Sequence, residues 1–298
     1  MHVLVSGSSG LIGSALTVSL PRYGHGVGRL MRDPGVARQD DVVWDPNTGD
    51  LAPPQPQPLD AVVHLAGESL VGAWNKDKKA RILNSRAGPT RLLAETLARL
   101  KRRPRVFISA SAIGFYGDRG DQALDESSGP GSGFLADVCR QWEAAAHPAA
   151  EAGIRTVQLR LGLVLAPHGG ALPQMLSVFQ TGLAGPLGSG RQYVSWITLA
   201  DAVRAIEFAL VHDDLSGPVN AVAPQSVTNA EFTKTLAGVL GRPAILPVPA
   251  FALRLIFGQR ANELLLASSR VVPQRLTAAG FEFNHPQLRP ALAELLDQ

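Results

Sequence analysis

Cysteine is almost missing from this chain: Cys139 is the only one among 298 residues. A single thiol excludes an intrachain disulfide and any metal site built on paired cysteines, and it suits a reducing compartment. His64 and His168 have no partners at metal-ligand spacing, so no metal site is expected and both read as structural. No apolar run reaches the roughly 18 residues that span a membrane. The opening MHVLVSGSSG has neither a basic n-region nor an apolar h-region, so no signal peptide is expected and the cytoplasm is the default location. Charge is sparse at 18% of residues with a net of +3, which favours anionic small ligands without the density of a nucleic-acid-binding surface. The basic clusters NKDKKARILNSR and RLKRRPR lack neighbouring stacking aromatics and read as solvated helix faces. A monomer or homodimer acting on a small molecule is expected, without nucleic-acid or membrane partners.

What the chain does contain is an alternation of strands and helices. His2–Ser6 reads as a buried strand, Leu11–Arg22 as a helix stopped near Gly24, and Val27–Arg32 as a second strand. Trp44–Leu51 has the Asp-Pro-Asn and Gly of a turn or hairpin, and APPQPQP is a Pro-rich loop. Asp60–Ala66, DAVVHLA, has the continuous apolar character of a strand buried on both faces. A helix over 78–102, with a possible break at Gly88-Pro89, precedes a strand at Arg105–Ser109, a helix at Leu135–Ala150 and a strand at Arg155–Leu161. This grammar predicts a Rossmann-type doubly wound parallel sheet, α/β in class, with a smaller, mainly helical C-terminal substrate lobe. Residues 1–165 are assigned to the dinucleotide-binding domain, with 190–225 returning to it. Residues 166–189 and 226–298, rich in Gly and Pro and then in short helices, form the smaller lobe.

Gly7-Ser-Ser-Gly10-Leu-Ile-Gly13 follows a predicted strand and opens a predicted helix, the context in which spaced glycines bind a pyrophosphate. Gly7, Ser9, Gly10, Leu11, Ile12 and Gly13 are therefore candidate cofactor contacts. After the second strand, Met31 and Arg32 would face the adenosine ribose. An acid there grips the ribose hydroxyls of NAD, whereas Arg32 suits a 2′-phosphate. NADP(H) is favoured, and Asp33 keeps NAD(H) open because a one-residue shift would exchange the two side chains.

With VLVSGSSGLIG, DAVVHLAGESL and FISASAIGFYG, the chain resembles the short-chain dehydrogenase/reductase superfamily, in particular its extended, epimerase-like branch. LAGES, Asn84-Ser85-Arg86, QWEAAA, RLGLVL, GSGRQYVSWI and APQSVTNAEF extend the likeness over nearly the whole chain. They resemble the NAD-dependent epimerase/dehydratase-like "epimerase family proteins", which carry a C-terminal domain of unassigned function. The resemblance implies that Leu65, Ala66 and Gly67 line the adenine-ribose and pyrophosphate side of the cofactor. It further implies that Ser109 to Ser111 lie beside the nicotinamide, that Leu163 meets the carboxamide through backbone, and that Arg191 and Trp196 face the substrate.

That superfamily uses a Tyr as acid or base and a Lys four residues on, whose charge lowers the Tyr pKa. The corresponding segment here, GFLADVCRQWE, has neither: Phe134 pairs with Val138 in one register and Leu135 with Cys139 in the other. Leu135, Val138 and Trp142 instead form an apolar stripe, and Glu143 reads as a solvated charge or partner of Arg140, with a base as the alternative. Ser111, Tyr116 and Glu68 are the candidate catalytic residues. Arg86, with Arg81 near it, is the candidate replacement for the missing positive charge, holding a ribose or phosphate. The expectation is an NADP(H)-binding oxidoreductase or nucleotide-sugar epimerase-like enzyme with an altered proton relay; a non-catalytic NADP(H)-binding sensor or scaffold is the alternative.

Overall fold

The computed structural model describes residues 1–37, 40–52 and 59–297. The Pro-rich segment APPQPQP falls, apart from Ala52, outside the described residues. The chain runs from β1 (His2–Ser6) to α1 (Leu11–Ser19) and β2 (Gly26–Met31). β3 (Val42–Trp44), β4 (Leu51–Ala52) and β5 (Ala61–His64) follow. Next come α2 (Lys76–Asn84), α3 (Ala87–Arg99), β6 (Val106–Ala112), β7 (Ala123–Leu124), α4 (Phe134–Ala145) and α5 (His147–Glu151). After β8 (Arg155–Leu161) lie β9 (Leu163–Leu165), α6 (Leu172–Gln180), β10 (Tyr193–Val194), β11 (Trp196–Thr198) and α7 (Leu199–Val211). The remainder comprises β12 (Gly217–Ala221), β13 (Val227–Thr228), α8 (Asn229–Leu240), α9 (Ala250–Phe257), β14 (Arg270–Val271), α10 (Gln274–Ala278) and α11 (Leu288–Leu296).

These elements group into two compact units. The first comprises Met1–Ser111, Val138–Leu159 and Val203–Val219. Its framework is an eight-stranded sheet in the order β12-β8-β6-β5-β1-β2-β3-β4. β1 pairs in parallel with β2 and β5, and β5 with β6, while β4 closes a hairpin antiparallel to β3. The continuous apolar runs predicted as doubly buried strands are that: Ala61, Val62, Val63 and His64 are all buried. On one face, Leu93, Ala94 and Leu97 of α3 and Ala149 of α5 pack on Leu4, Leu30, Val62 and Phe107 of the sheet. Their spacing is that of an amphipathic helix.

Three predicted helices are cut short. The first ends at Ser19 and tightens into a 3₁₀ turn over Leu20–Tyr23, where Pro21 removes a helical donor. The helix predicted over 78–102 breaks at Ser85-Arg86 and not at Gly88-Pro89. Pro89 sits in the first turn of α3, where its missing N–H costs nothing. The third breaks at Ala146, and Pro148 enters the first turn of α5.

The second unit comprises Ala112–Asp137, Arg160–Ala202 and Asn220–Gln298. Its apolar centre joins Leu172 and Phe179 of α6, Phe232 and Leu236 of α8, and Leu288 and Leu292 of α11 around Trp196. The C-terminal stretch is stitched in by hydrogen bonds of its backbone. β14 pairs in parallel with β7, and both carboxylate oxygens of Asp201 accept from the N–H groups of Asn284 and His285. Among the described residues, no helix is long and apolar enough to cross a membrane.

His64 ends β5 inside the first unit, fully buried, with Ser6 Oγ 2.6 Å from its Nδ1. Burial pushes its pKa down to about 4. Above pH ~6.5 the ring is neutral in both folded and unfolded chains; below it, only the unfolded chain takes up the proton. Stability should therefore fall by up to about 3 kcal/mol as pH drops from ~6.5 to ~4, and no further from this group. Urea titrations at several pH values should show this part of the slope vanish in His64→Asn.

Candidate functional site

The strand order reverses between β1 and β5, since the chain first builds β2, β3 and β4 on one side of β1 and then returns to β5 on the other. In open α/β sheets ligands bind in the crevice at the carboxyl ends of strands flanking such a point. The loops leaving β1 and β5 meet there at backbone distance. Gly7 has φ +67, and a Cβ on it would lie 2.8 Å from Ala66 N and from the Leu65 carbonyl carbon. A Cβ on Gly13 would come within 2.2 Å of Gly7 O, so α1 can lie on the loop only with glycine there. Gly10 holds the N-cap position of α1 and offers no side-chain acceptor. The helix start thus presents backbone donors and the positive end of its dipole to an anion. This glycine cradle fits a dinucleotide pyrophosphate.

At the end of β2, Arg29 is committed to an ion pair with the buried Asp41 carboxylate. Asp33 Oδ1 accepts the Gly35 N–H at 2.8 Å, which draws the candidate ribose-binding acid into capping the next turn. Met31 lies beside the loop, with Ser8 Oγ 3.9 Å from its sulfur, and Arg32 is exposed at the strand end.

The loop after β5 is clamped onto the α2–α3 corner. Glu68 N–H donates to Ser85 Oγ at 3.0 Å, its carbonyl accepts from Arg86 Nη2 at 3.0 Å, and its carboxylate takes Lys78 Nζ at 2.6 Å. Arg86 also donates to Ile82 O at 3.1 Å, packs over Gly67, and lies 5.1 Å from the centre of the Trp142 ring. Burial draws its pKa below the ordinary guanidinium value. Two expectations change here. Glu68 is held below the usual carboxylate range by Lys78, first through their hydrogen bond, so it stays ionised and is no proton donor at neutral pH. Arg86, expected to hold a ribose or phosphate, donates to the Ile82 and Glu68 carbonyls and ties the loop to the helix corner. Arg81 remains 59% exposed, with Nε 3.8 Å from the Glu68 carboxylate. Lys78, read as part of a solvated face, is buried.

Ser109 and Ser111 end β6, both buried and on one face of the strand, as residues two apart must be. Ser109 Oγ donates to Ala110 O, whereas Ser111 Oγ donates to Glu143 Oε1 at 2.7 Å. Glu143 is on α4, the helix that replaces the Tyr-Lys segment. Trp142 beside it buries its ring and donates Nε1–H to Thr90 Oγ1 at 3.1 Å. Sequence reasoning ranked Glu143 as a solvated charge, yet a signal was available. Ala136, Cys139, Glu143 and Ala146 fall at helical spacing, and the other three are buried, so this carboxylate lies on the packed face.

The remaining candidates belong to the second unit. Tyr116, expected as a proton donor, is fully buried. Its hydroxyl accepts from Arg160 at 2.8 Å and lies 2.8 Å from Asn220 Oδ1 and 3.0 Å from Asp125 O. Desolvation raises its pKa, so it is a core tyrosine with a satisfied hydroxyl. Trp196, expected as a stacking surface, is likewise fully buried within the apolar cluster and offers no face to a ligand. Leu163 is half-buried in β9 with its N–H on Ser195 O, and Arg191 is exposed. The structure thus gathers Gly7–Gly13, Arg32, Leu65–Glu68, Arg86, Ser109 and Ser111 in the first unit and leaves Tyr116, Leu163, Arg191 and Trp196 outside it.

A mostly parallel sheet with a glycine cradle at its switch point defines a Rossmann-type protein of the dinucleotide-binding class. The chain belongs to the NAD dependent epimerase/dehydratase family, whose model matches residues 3–222; a domain of unknown function (DUF1731) matches 248–295. It is 43% identical to the epimerase family protein Mb2239 of Mycobacterium bovis, over 97% of this chain and 96% of that one. The crystal structure of the human epimerase family protein SDR39U1 (isoform 2) with NADPH superposes with a TM-score of 0.91. It is 35% identical and the match covers 100% of this chain and 99% of that one. A nucleoside-diphosphate sugar epimerase from Corynebacterium glutamicum gives a TM-score of 0.79 at 37% identity, over 99% of this chain and 58% of that one.

Replacing Arg86 by Met should destabilise the first unit by about 2 kcal/mol, because carbonyls of Ile82 and Glu68 lose their donor. Arg86→Lys should recover only part of that, since one ammonium lacks the planar fork that reaches both. Chemical denaturation of the two variants measures the difference.

Proposed function

We propose that the protein is an NADP(H)-dependent oxidoreductase of epimerase-like type in which Ser111 and Glu143 replace the Tyr-Lys pair. Its substrate is a small molecule bearing a secondary alcohol or the corresponding carbonyl, polyhydroxylated or anionic in character. The observation that carries this reading is the 2.7 Å hydrogen bond from Ser111 Oγ to Glu143 Oε1 at the carboxyl end of β6. Three features support NADP(H): the glycine cradle, Arg32 at the end of β2 with Asp33 engaged elsewhere, and the NADPH bound by the human relative. Gly7–Gly13, Leu65–Gly67 and Arg32 would hold the cofactor, Arg32 at its 2′-phosphate.

NADP(H), when bound, exchanges a hydride with the substrate carbon. The chain's own residues then manage one proton at the substrate oxygen. In the oxidative direction Ser111 Oγ takes the alcohol proton while its own proton passes to Glu143, which becomes a neutral carboxylic acid. In the reductive direction the same proton returns through Ser111 to the developing alkoxide. A serine hydroxyl alone is too weak an acid or base for this, and the carboxylate behind it receives and returns the proton. Ser111 is itself buried at the end of β6.

Two measurements test this. Glu143→Gln should lower turnover of a carbonyl or sugar-nucleotide substrate by about 100-fold or more while NADPH affinity holds; unchanged turnover removes Glu143 from the mechanism. Turnover absent from the wild type across a broad substrate panel, despite NADPH binding, would favour a non-catalytic binder. Arg32→Glu should weaken NADPH by at least about tenfold more than NADH in fluorescence titration. Equal losses would show that Arg32 does not read the 2′-phosphate.

A further inference from the structure

Helix α4 begins at Phe134. Asp137 N–H donates to Gly133 O at 3.1 Å, which puts Gly133 at the N-cap position, and glycine has no side chain to offer the first-turn donors. Its φ of +109 also disfavours any residue that could offer one. The missing acceptor comes from 128 residues away. Glu263 Oε2 accepts from Leu135 N–H at 2.7 Å and Oε1 accepts from Phe134 N–H at 3.1 Å. Gln259 Nε2, at 2.6 Å, holds the same carboxylate from the other side. Glu263 sits in a π-helical turn over Ala261–Leu265, inside the segment matched by the domain of unknown function. That turn is anchored just downstream: Ser268 O accepts from Arg119 N–H at 2.8 Å, and Ser268 Oγ accepts from Tyr193 N–H at 2.9 Å.

We infer that the C-terminal segment serves the reaction by capping the catalytic helix, with Glu263 as a positioning residue for Glu143. This rests on the reading of Ser111–Glu143 as the proton-handling pair. A carboxylate bridging the first two donors of a helix fixes both its axial position and its rotation, and its charge opposes the positive end of the helix dipole. α4 is a single helix of 12 residues, so its start and Glu143 are parts of one rod. From Leu135 to Glu143 the rise is about 12 Å. A fraying first turn or a slight rotation would carry the Glu143 carboxylate away from Ser111 Oγ.

The test measures hydrogen exchange along 134–145 in the full chain, for wild type, Glu263→Gln and Glu263→Ala, beside NADPH affinity and turnover. The inference expects amides as far as Glu143 to exchange about fivefold faster in Glu263→Ala. Glu263→Gln, which keeps one acceptor and loses the charge, should fall between. Exchange in α1 and NADPH affinity should stay unchanged, and kcat should fall by up to about 100-fold. Faster exchange confined to 134–137, or unchanged kcat despite faster exchange at Glu143, overturns the positioning role. A general loss of protection that includes α1 also overturns it, since Glu263 would then serve overall stability. Insensitivity of turnover to Glu143→Gln would instead defeat the proton-handling reading and leave the exchange result standing.

Discussion

Much of the site depends on one close approach. The loops leaving β1 and β5 pass at backbone contact, with Gly7 against Leu65 and Ala66 and with Gly13 against Gly7. No side chain larger than hydrogen can occupy either glycine without moving one of the loops. That steric demand fixes where α1 begins and aims its uncapped end at the crevice. The clamp on Glu68, made by Ser85, Arg86 and Lys78, holds the other lip of the crevice. The cations in this clamp hold the shape of the loop.

In the function proposed above, the proton-handling end follows a different logic from the familiar one. A tyrosine near its ordinary pKa of about 10 needs a neighbouring cation to be useful near neutrality. Tyr116 follows β6 in sequence, and burial moves it further from neutrality. A serine backed by a carboxylate needs no such depression, because the hydroxyl only relays and the carboxylate holds the proton. Where the resemblance would place the Tyr-Lys pair, α4 carries an apolar stripe, with Trp142 hydrogen-bonded to Thr90 and Arg86 5.1 Å from the centre of its ring. Glu143 is the polar exception on that packed face.

Much of the fold was legible in the sequence. The apolar run of β5 announced burial on both strand faces, and a helix was expected over 78–102, where α2 and α3 lie. The glycine spacing announced the crevice. What periodicity does not carry is the choice a side chain makes between solvent and a distant partner. Lys78 read as solvated because its acceptor, Glu68, lies on another element; Trp196 read as a ligand surface because its segment resembles the region over a substrate pocket, yet its ring packs in the apolar cluster of the second unit. The break at Ser85-Arg86 was hidden by the stronger-looking Gly88-Pro89, and Glu263 as the cap of α4 lies too far along the chain for any local motif.

The claim that Ser111 and Glu143 act as one unit is tested most directly by a double-mutant cycle on hydride transfer in single turnovers, with Ser111→Ala, Glu143→Gln and the double variant. Residues that move one proton together lose their function together. The account predicts that the double variant is no slower than the slower single variant. Losses that multiply across the two positions would contradict it.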